Sequence, residues 1–149
     1  MVSEAITSLA ITAKKRRIKI KVSALKSEPL LIEADLEKIK LAIQNLIDNA
    51  IKYSIPGNEV IVDLDRIKEG KNSFIEIKIK DNGIGIGKKE QKRLFSKFFR
   101  AENAVRLQTE GSGLGLFIVK NIIKAHQGKI WFESAENKGS TFYIKLPIK

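Results

Sequence analysis

The chain has 149 residues, enough for one domain with a substantial core, and it carries no cysteine and one histidine, His126. Disulfides, thiolate metal sites and multi-histidine metal sites are therefore excluded. The formal net charge of +11 admits a polyanionic ligand, but it is weak support by itself, because most lysines alternate with apolar residues as on solvated strands. No apolar run is long enough to cross a bilayer and no signal peptide is visible, so we expect a soluble, cytoplasmic protein.

The predicted elements mix helices and strands. Residues 1–17 are predicted to be helical without an obvious start, so we expect the chain to be cut from something longer. Strands are predicted at 18–24, 30–33, 59–67, 74–80, 129–134 and 141–146, helices at 35–54, 88–99 and 113–125, and a mobile loop at 100–110. A hairpin around Gly70 forces antiparallel pairing. The pattern predicts an α+β fold, a two-layer α/β sandwich with one mixed, largely antiparallel sheet packed on helices.

The predicted helix over 35–54 carries an unusual polar stripe. Asp35 is a plausible N-cap, and apolar residues at helical spacing form one face. Asn45 and Asn49 are four residues apart and Lys52 follows three further on, so all three share a stripe at the edge of that face. Two carboxamides and a cation suit a site that coordinates a metal and neutralises phosphate without adding negative charge.

Two glycine-dense segments are candidate ligand loops. Residues 81–86, DNGIGI, directly follow a strand, and the carboxylate of Asp81 can accept a hydrogen bond from an exocyclic amine. Residues 111–116, GSGLGL, precede a helix whose free N–H groups and dipole suit phosphate. A tight turn with a capping Asp explains residues 81–86 equally well, and a flexible hinge with a helix cap explains residues 111–116 equally well. Neither a dinucleotide fingerprint nor a Walker loop is present, because no βαβ unit and no Lys-Ser/Thr accompany the glycines.

The remaining candidates favour structural roles. His126 lies at a predicted helix end, where a cation or a carbonyl hydrogen bond is favourable. Trp131 is expected in the core. Phe95, Phe98 and Phe99 are ambiguous: some belong to the core, but aromatics before a mobile loop can also dock a partner.

In this order, the segments resemble the ATP-binding domain of sensor histidine kinases. These belong to the GHKL superfamily, with a Bergerat-type fold, together with DNA gyrase, heat-shock chaperone ATPases and mismatch-repair ATPases. The N box is matched by NLIDNAIKYS, the G1 box by DNGIGI, the F box by RLFSKFFR, the G2 box by GSGLGLFIVK and the closing strand by GSTFYIKLP. The resemblance implies one domain over 1–149, with 1–17 as a remnant of the connection to an acceptor-helix domain.

The resemblance implies a role for each matching residue at the adenine end of a nucleotide site. Asp81 would bind the adenine amine, with Gly85 beside the ring. Thr141 would help through a water, and Tyr53 would pack on the adenine.

At the phosphate end, the resemblance implies that Asn49 ligates Mg²⁺, that Asn45, Lys52 and Arg100 are catalytic residues along the phosphate path, and that Arg100 and 101–110 form an ATP lid. The expected nucleotide-binding residues are Asn45, Asn49, Lys52, Tyr53, Asp81, Gly83, Gly85, Ile86, Arg100, Gly111, Ser112, Gly113, Leu114, Gly115, Leu116 and Thr141. Gly87 and Gln127 depart from the family pattern, which is expected to alter local stiffness rather than chemistry.

The implied function is transfer of the γ-phosphoryl group of Mg-ATP to a histidine on a separate acceptor domain of the same kinase, with a response regulator downstream. No nucleic acid and no direct membrane contact are expected, although parents of this family are commonly membrane-anchored dimers. His126 does not lie in an acceptor context. A gyrase-type ATPase and an anti-sigma-factor-type serine kinase are the alternatives, but both typically carry a glutamate where this chain has Asn45. A basic nucleic-acid module explains the charge and none of the motifs.

Overall fold

The computed structural model describes residues 1–23 and 32–148. The elements in chain order are α1 Val2–Lys15, β1 Lys19–Ser23, α2 Leu36–Tyr53, β2 Glu59–Glu69, β3 Asn72–Lys80, α3 Lys88–Gln91, α4 Glu102–Leu107, α5 Gly115–Ala125, β4 Lys129–Ala135 and β5 Gly139–Ile148. Residue 24 of the predicted strand 18–24 and residues 30 and 31 of the predicted strand 30–33 lie outside the described residues. Ile32 and Glu33 are described, and they are not in a strand. None of the helices in the described ranges is long and apolar enough to cross a membrane.

The described strands form one mixed sheet. Its order is β1-β2-β3-β5-β4, with β1 parallel to β2 and every other neighbouring pair antiparallel. Gly70 forms the turn of the β2–β3 hairpin with a φ of 60°. The predicted α+β two-layer fold is therefore confirmed.

The core lies between one face of this sheet and the helices α1, α2 and α5. Alternate residues of β3, such as Ile77, are buried, and the apolar face of α2 contributes Ile43 and Ile47, each 0% exposed. Burying one such side chain stabilises the fold by about 1.5–3 kcal/mol. Since α2 contacts both α1 and α5 and also β2 and β3, this core fixes its polar edge relative to the sheet.

The start of α2 and the end of α5 are joined by polar contacts. The carboxylate of Asp35 accepts from Lys38 N at 3.2 Å and caps α2 as predicted. His126 Nδ1 donates to Ile122 O at 2.7 Å, and its Nε2 accepts from Asp35 N at 3.1 Å. These bonds confirm the structural role expected for His126.

Two of the predicted helices and the predicted loop differ from the structure. The helix expected over 88–99 ends at Gln91, and the chain continues in turns with bonds such as Leu94 N to Gln91 O. Further on, Phe98 takes a φ of 63° and donates its N–H to Gly113 O at 3.0 Å, so no helix could run through it to residue 99. Gly113 itself has a φ of 70°, so α5 starts at Gly115 rather than at 113. The expected loop over 100–110 contains the short helix α4.

The prediction that Trp131 belongs to the core is wrong. Side chains alternate along β4, and Phe132 packs beneath the helices against Phe142 and Phe95. Trp131 therefore points to the open face of the sheet, where its ring stacks on Tyr143 with centroids 5.1 Å apart.

Candidate functional site

A cavity opens where the second half of α2 meets the loop after β3, the start of β5 and the segment between residues 99 and 116. It brings together most of the residues predicted for the nucleotide site, namely Asn45, Asn49, Lys52, Tyr53, Asp81, Gly85, Ile86, Arg100, Gly111, Ser112, Gly113, Gly115 and Leu116. Gly83, Leu114 and Thr141 are not among its lining residues.

Helix α2 contributes one polar wall of the cavity. Asn45 Nδ2 donates to Leu41 O at 2.9 Å, which leaves its Oδ1 toward the start of α5. The side chain of Asn49 makes no hydrogen bond within the described part of the chain and is available to a ligand. Lys52 Nζ lies 2.5 Å from Asp48 Oδ2.

The sequence prediction missed Asp48, which lines the same cavity. The sequence feature that could have identified Asp48 is its spacing of four residues from Lys52, which allows an ion pair along a helix. The pair means that the ammonium group at this wall is already partly neutralised.

Asp81 is the buried acid of the cavity. The residue is 6% exposed, and Oδ1 accepts from Gly83 N at 2.9 Å and Ser140 N at 3.2 Å. Oδ2 has no hydrogen bond to any residue that the structure describes. Burial raises the pKa of Asp81 from 3.8 to about 6, against the opposing effect of the two N–H donors. The free oxygen suits a donor such as an exocyclic amine.

The glycines of residues 83–85 serve packing within the protein. A Cβ at Gly83 would overlap the carbonyl of Tyr53, and one at Gly85 would overlap the carbonyl of Ala135. Gly85 also has a φ of 63°, which disfavours residues with side chains. The loop can therefore pass between the end of α2 and the β4–β5 turn, and this passage places Asp81 at the cavity.

The structure does not bring Thr141 into the cavity. Residues on β5 alternate between faces, so Ser140 and Phe142 line the cavity while Thr141 points to the open face of the sheet. Ser140 Oγ lies 2.8 Å from Ser134 Oγ, whose oxygen also accepts from Ile86 N at 2.9 Å. Ser140, and not Thr141, is the hydroxyl residue of β5 that lines the cavity, and its main-chain N–H donates to Asp81 Oδ1 at 3.2 Å.

Arg100 lines the cavity, but its guanidinium is engaged by residues 101–114, which are called the lid segment because they include the residues 101–110 predicted to form a lid. It donates to Thr109 O at 3.0 Å and to Gln108 O. At the end of this segment, Leu114 N donates to Ser112 Oγ at 3.2 Å, and α5 begins at Gly115. The first N–H groups of a helix have no intrahelical partner and suit an anion.

Asn103 was missed because residues 100–110 were expected to form an irregular loop. Its Nδ2 donates to Gly85 O at 2.9 Å, and its Oδ1 is buried without a hydrogen-bond partner among the described residues. A carbonyl only accepts, so this orientation of the amide is fixed. The bond ties α4 to the loop that carries Asp81.

The three phenylalanines have separate environments. Phe95 packs against Phe132 and Phe142 in the core, and Phe99 lines the cavity with Arg93 over its ring at 4.7 Å. Phe98 is 68% exposed, as expected for at least one of the aromatic residues before the lid segment.

Within the ranges 1–23 and 32–148, no group of three or more His, Cys, Asp or Glu residues could hold a metal ion. A cation in the cavity would be held by one or two protein oxygens, such as the amide oxygen of Asn49 or a carboxylate oxygen of Asp48, together with oxygens of a ligand. Mg²⁺ accepts such a set, because it is usually bound by few protein ligands together with phosphate oxygens and waters.

Comparisons with known proteins agree with this geometry. Residues 34–149 match the family model described as "Histidine kinase-, DNA gyrase B-, and HSP90-like ATPase". The sensor histidine kinase WalK of Bacillus subtilis is 41% identical over 120 residues, which is 80% of this chain and 19% of that protein. The sensor-like histidine kinase SenX3 of Mycobacterium bovis is 40% identical over 147 residues, 99% of this chain and 34% of that protein.

Solved structures extend the likeness to the fold. The mycobacterial sensor histidine kinase MprB has a TM-score of 0.77 and 32% identity, covering 99% of this chain and 94% of that one. The catalytic domain of the histidine kinase ThkA has a TM-score of 0.73 and 28% identity, covering 99% and 91%. The chain thus spans about a fifth to a third of the curated relatives but nearly all of these two structures.

Proposed function

The chain belongs to the histidine kinase-, DNA gyrase B- and HSP90-like ATPases, as the ATP-binding catalytic domain of sensor histidine kinases, and we propose that it donates the γ-phosphoryl group of Mg-ATP to a histidine on a separate acceptor domain. The observation that carries the proposal is the buried Asp81, with one oxygen held by two backbone N–H groups and the other free in the cavity.

This arrangement supports recognition of adenine. A carboxylate with a fixed and desolvated oxygen is a strong acceptor for the 6-amino group, and a 6-oxo purine would present an acceptor to it instead. Tyr53 and Ile86 supply apolar and aromatic surface beside it, and Ser140 supplies a hydroxyl on the same wall. The site therefore suits ATP better than GTP.

The phosphates are proposed to lie along α2 toward the start of α5. Asn45 and Lys52 line this path on one side, and residues 111–116 supply backbone N–H groups on the other. The Asp48 carboxylate weakens the charge of Lys52 here. Binding of phosphates therefore depends more on the N–H groups and on a bound cation than the sequence implied.

Asn49 is the proposed Mg²⁺ ligand through its amide oxygen, because this side chain lines the cavity and makes no hydrogen bond to the described residues. When bound, the cation would neutralise charge on the phosphates. Asn49 would hold it in place, and the rest of its coordination would come from phosphates and water.

The chemistry of Asn45 supports transfer rather than hydrolysis as the proposed reaction. An amide cannot accept a proton from water, and Asn45 Nδ2 already donates to Leu41 O. Of the α2 residues that line the cavity, Asp48 alone has a carboxylate, and Lys52 engages it. An acceptor histidine therefore has to be brought to the γ-phosphate by another domain.

The proposed partners are that acceptor-histidine domain and a response regulator. Phe98, which is 68% exposed beside Lys97, is the proposed contact with the acceptor domain. Residues 1–17 are proposed to belong to the connection to it, and the domain to lie in the cytoplasm within a longer kinase.

Calorimetric titration with ATP, GTP and inosine triphosphate, each with and without Mg²⁺, tests the nucleotide site. We expect ATP to bind at least about 10-fold more tightly than either 6-oxo purine, and Asp81→Asn to remove most of that preference. Equal affinities for the three nucleotides would refute the role of Asp81. Absence of binding would refute the proposed function.

A further inference from the structure

We propose that Arg16, at the end of α1, is a positioning residue that holds the lid segment against the end of α2 and so sets the closure of the ATP cavity. The inference rests on the proposed function and adds a residue outside every motif of the family. Arg16 is half-buried, although it belongs to the basic run 14–17, which is otherwise exposed.

The guanidinium of Arg16 joins two segments that are far apart in the chain. Nη1 donates to Lys52 O at 3.1 Å, and Nη2 donates to Gln108 Oε1 at 2.7 Å. Lys52 lies in the last turn of α2, where carbonyls have no intrahelical partner and a cation is favoured. Arg16 thus caps α2 and reaches the lid segment with the same side chain.

Gln108 is held from two sides. Its side chain accepts from Arg16, and its main-chain oxygen accepts from Arg100, which also donates to Thr109 O at 3.0 Å. Residues 110–113 follow directly and line the cavity. The position of Gln108 therefore determines where this part of the lid segment lies over the proposed phosphate path.

Arginine is required for this bridge because its planar fork presents donors in two directions at fixed geometry. A lysine at residue 16 would keep the charge and the cap on α2, but its single ammonium would not hold both oxygens in the same way. Gln108→Ala removes the contact with the lid and leaves the contact with Lys52 O. These two variants separate positioning of the lid from capping of the helix.

The test uses Arg16→Ala, Arg16→Lys, Gln108→Ala and the double variant Arg16→Ala/Gln108→Ala. Lys15→Ala is the matched control, because it removes one exposed positive charge from the same helix end. The measurements are ATP affinity by calorimetry, amide exchange of residues 105–112 with and without a non-hydrolysable ATP analogue, and the thermal midpoint of unfolding.

We expect Arg16→Ala and Gln108→Ala each to weaken ATP binding about five-fold and to speed exchange over 105–112. The double variant should be no weaker than either single variant, and Lys15→Ala should match the unchanged protein. Arg16→Lys should have the same thermal midpoint as the unchanged protein, but its amides over 105–112 should exchange as fast as those of Arg16→Ala. The analogue should slow exchange in the unchanged protein and less so in these variants.

Additive losses in the double variant, or slow exchange in Gln108→Ala, would overturn the inference while leaving the proposed function intact. Failure of the unchanged protein to bind ATP would refute the proposed function. In that case the exchange rates of the nucleotide-free variants still decide whether Arg16 restrains the lid segment.

Discussion

Lys52 Nζ lies 2.5 Å from Asp48 Oδ2 within the cavity proposed for the phosphates. The pair is partly exposed, with side-chain exposures of 36% and 28%, so its strength is reduced by solvent. It joins a carboxylate that would repel phosphate to a cation that would attract it. The attraction that Lys52 exerts on phosphates at this wall therefore depends on whether the pair persists when nucleotide binds.

Asp48→Asn should tighten ATP binding about two- to five-fold, because it frees the ammonium of Lys52 and removes a negative charge beside the phosphates. Slow background hydrolysis should not change, since Asp48 is not proposed to activate water. Asp63→Asn, which disrupts the Lys78–Asp63 pair on the open face of the sheet, is the control. Loss of hydrolysis in Asp48→Asn alone would instead identify Asp48 as a general base.

The stability of the domain should depend on pH through Asp81. Burial raises its pKa from 3.8 to about 6, so the folded state keeps a proton in this window that the unfolded chain has released. Because the folded state binds more protons, the free energy of unfolding falls as pH rises from about 4 to about 6, by roughly 3 kcal/mol in all.

Asp81→Asn removes this titration and keeps an oxygen for the N–H groups of Gly83 and Ser140. The variant should therefore be more stable than the unchanged protein at pH 7, and the difference should disappear below about pH 4. Urea unfolding between pH 4 and 7 measures it, with Asp65→Asn, an exposed aspartate on β2, as the control. Parallel pH profiles for Asp81→Asn and the unchanged protein would contradict the account.

Ser140→Ala should weaken ATP binding about five-fold, because it removes a hydroxyl of the cavity wall that bonds Ser134. Thr141→Ala, on the other face of β5, should change affinity by less than about two-fold. Both are measured by calorimetry under the same conditions. A larger loss for Thr141→Ala than for Ser140→Ala would restore the assignment made from the sequence.

Phe98→Ala should reduce phosphoryl transfer to the acceptor domain about 10-fold while changing ATP affinity by less than about two-fold, because this ring is exposed outside the cavity. The comparison is Phe95→Ala, which removes a partly buried ring packed against the core and should destabilise folding by about 2–3 kcal/mol. If Phe98→Ala loses ATP affinity or unfolds, Phe98 supports the domain rather than a partner.

Much of the fold was predictable because local patterns and tertiary structure agree. The apolar spacing and capping residue of α2 predicted its bounds within one residue, and its stripe correctly placed Asn45, Asn49 and Lys52 at the cavity. The antiparallel β2–β3 hairpin was predicted in the same way, from alternating apolar and polar residues on both sides of a turn at Gly70.

The misses occur where a single residue or a distant contact decides the outcome. Phe98 takes a left-handed conformation because its N–H bonds Gly113 O, and no local pattern reveals that bond. Trp131 was assigned to the core and Thr141 to the nucleotide site, but both lie on the open face of the sheet, since alternation predicts two faces but not which one meets the helices. Arg16 drew no prediction, because its partners lie 36 and 92 residues away in the chain.

The central claim is that this chain presents ATP to a histidine of another domain. It is tested most directly by incubating the chain with γ-labelled Mg-ATP, with and without the acceptor domain, and treating the products with acid and with base. We predict no labelling or appreciable hydrolysis without acceptor, and with acceptor a label that survives base and is lost in acid, as phosphohistidine is. An acid-stable label, or brisk release of phosphate without acceptor, would contradict the account.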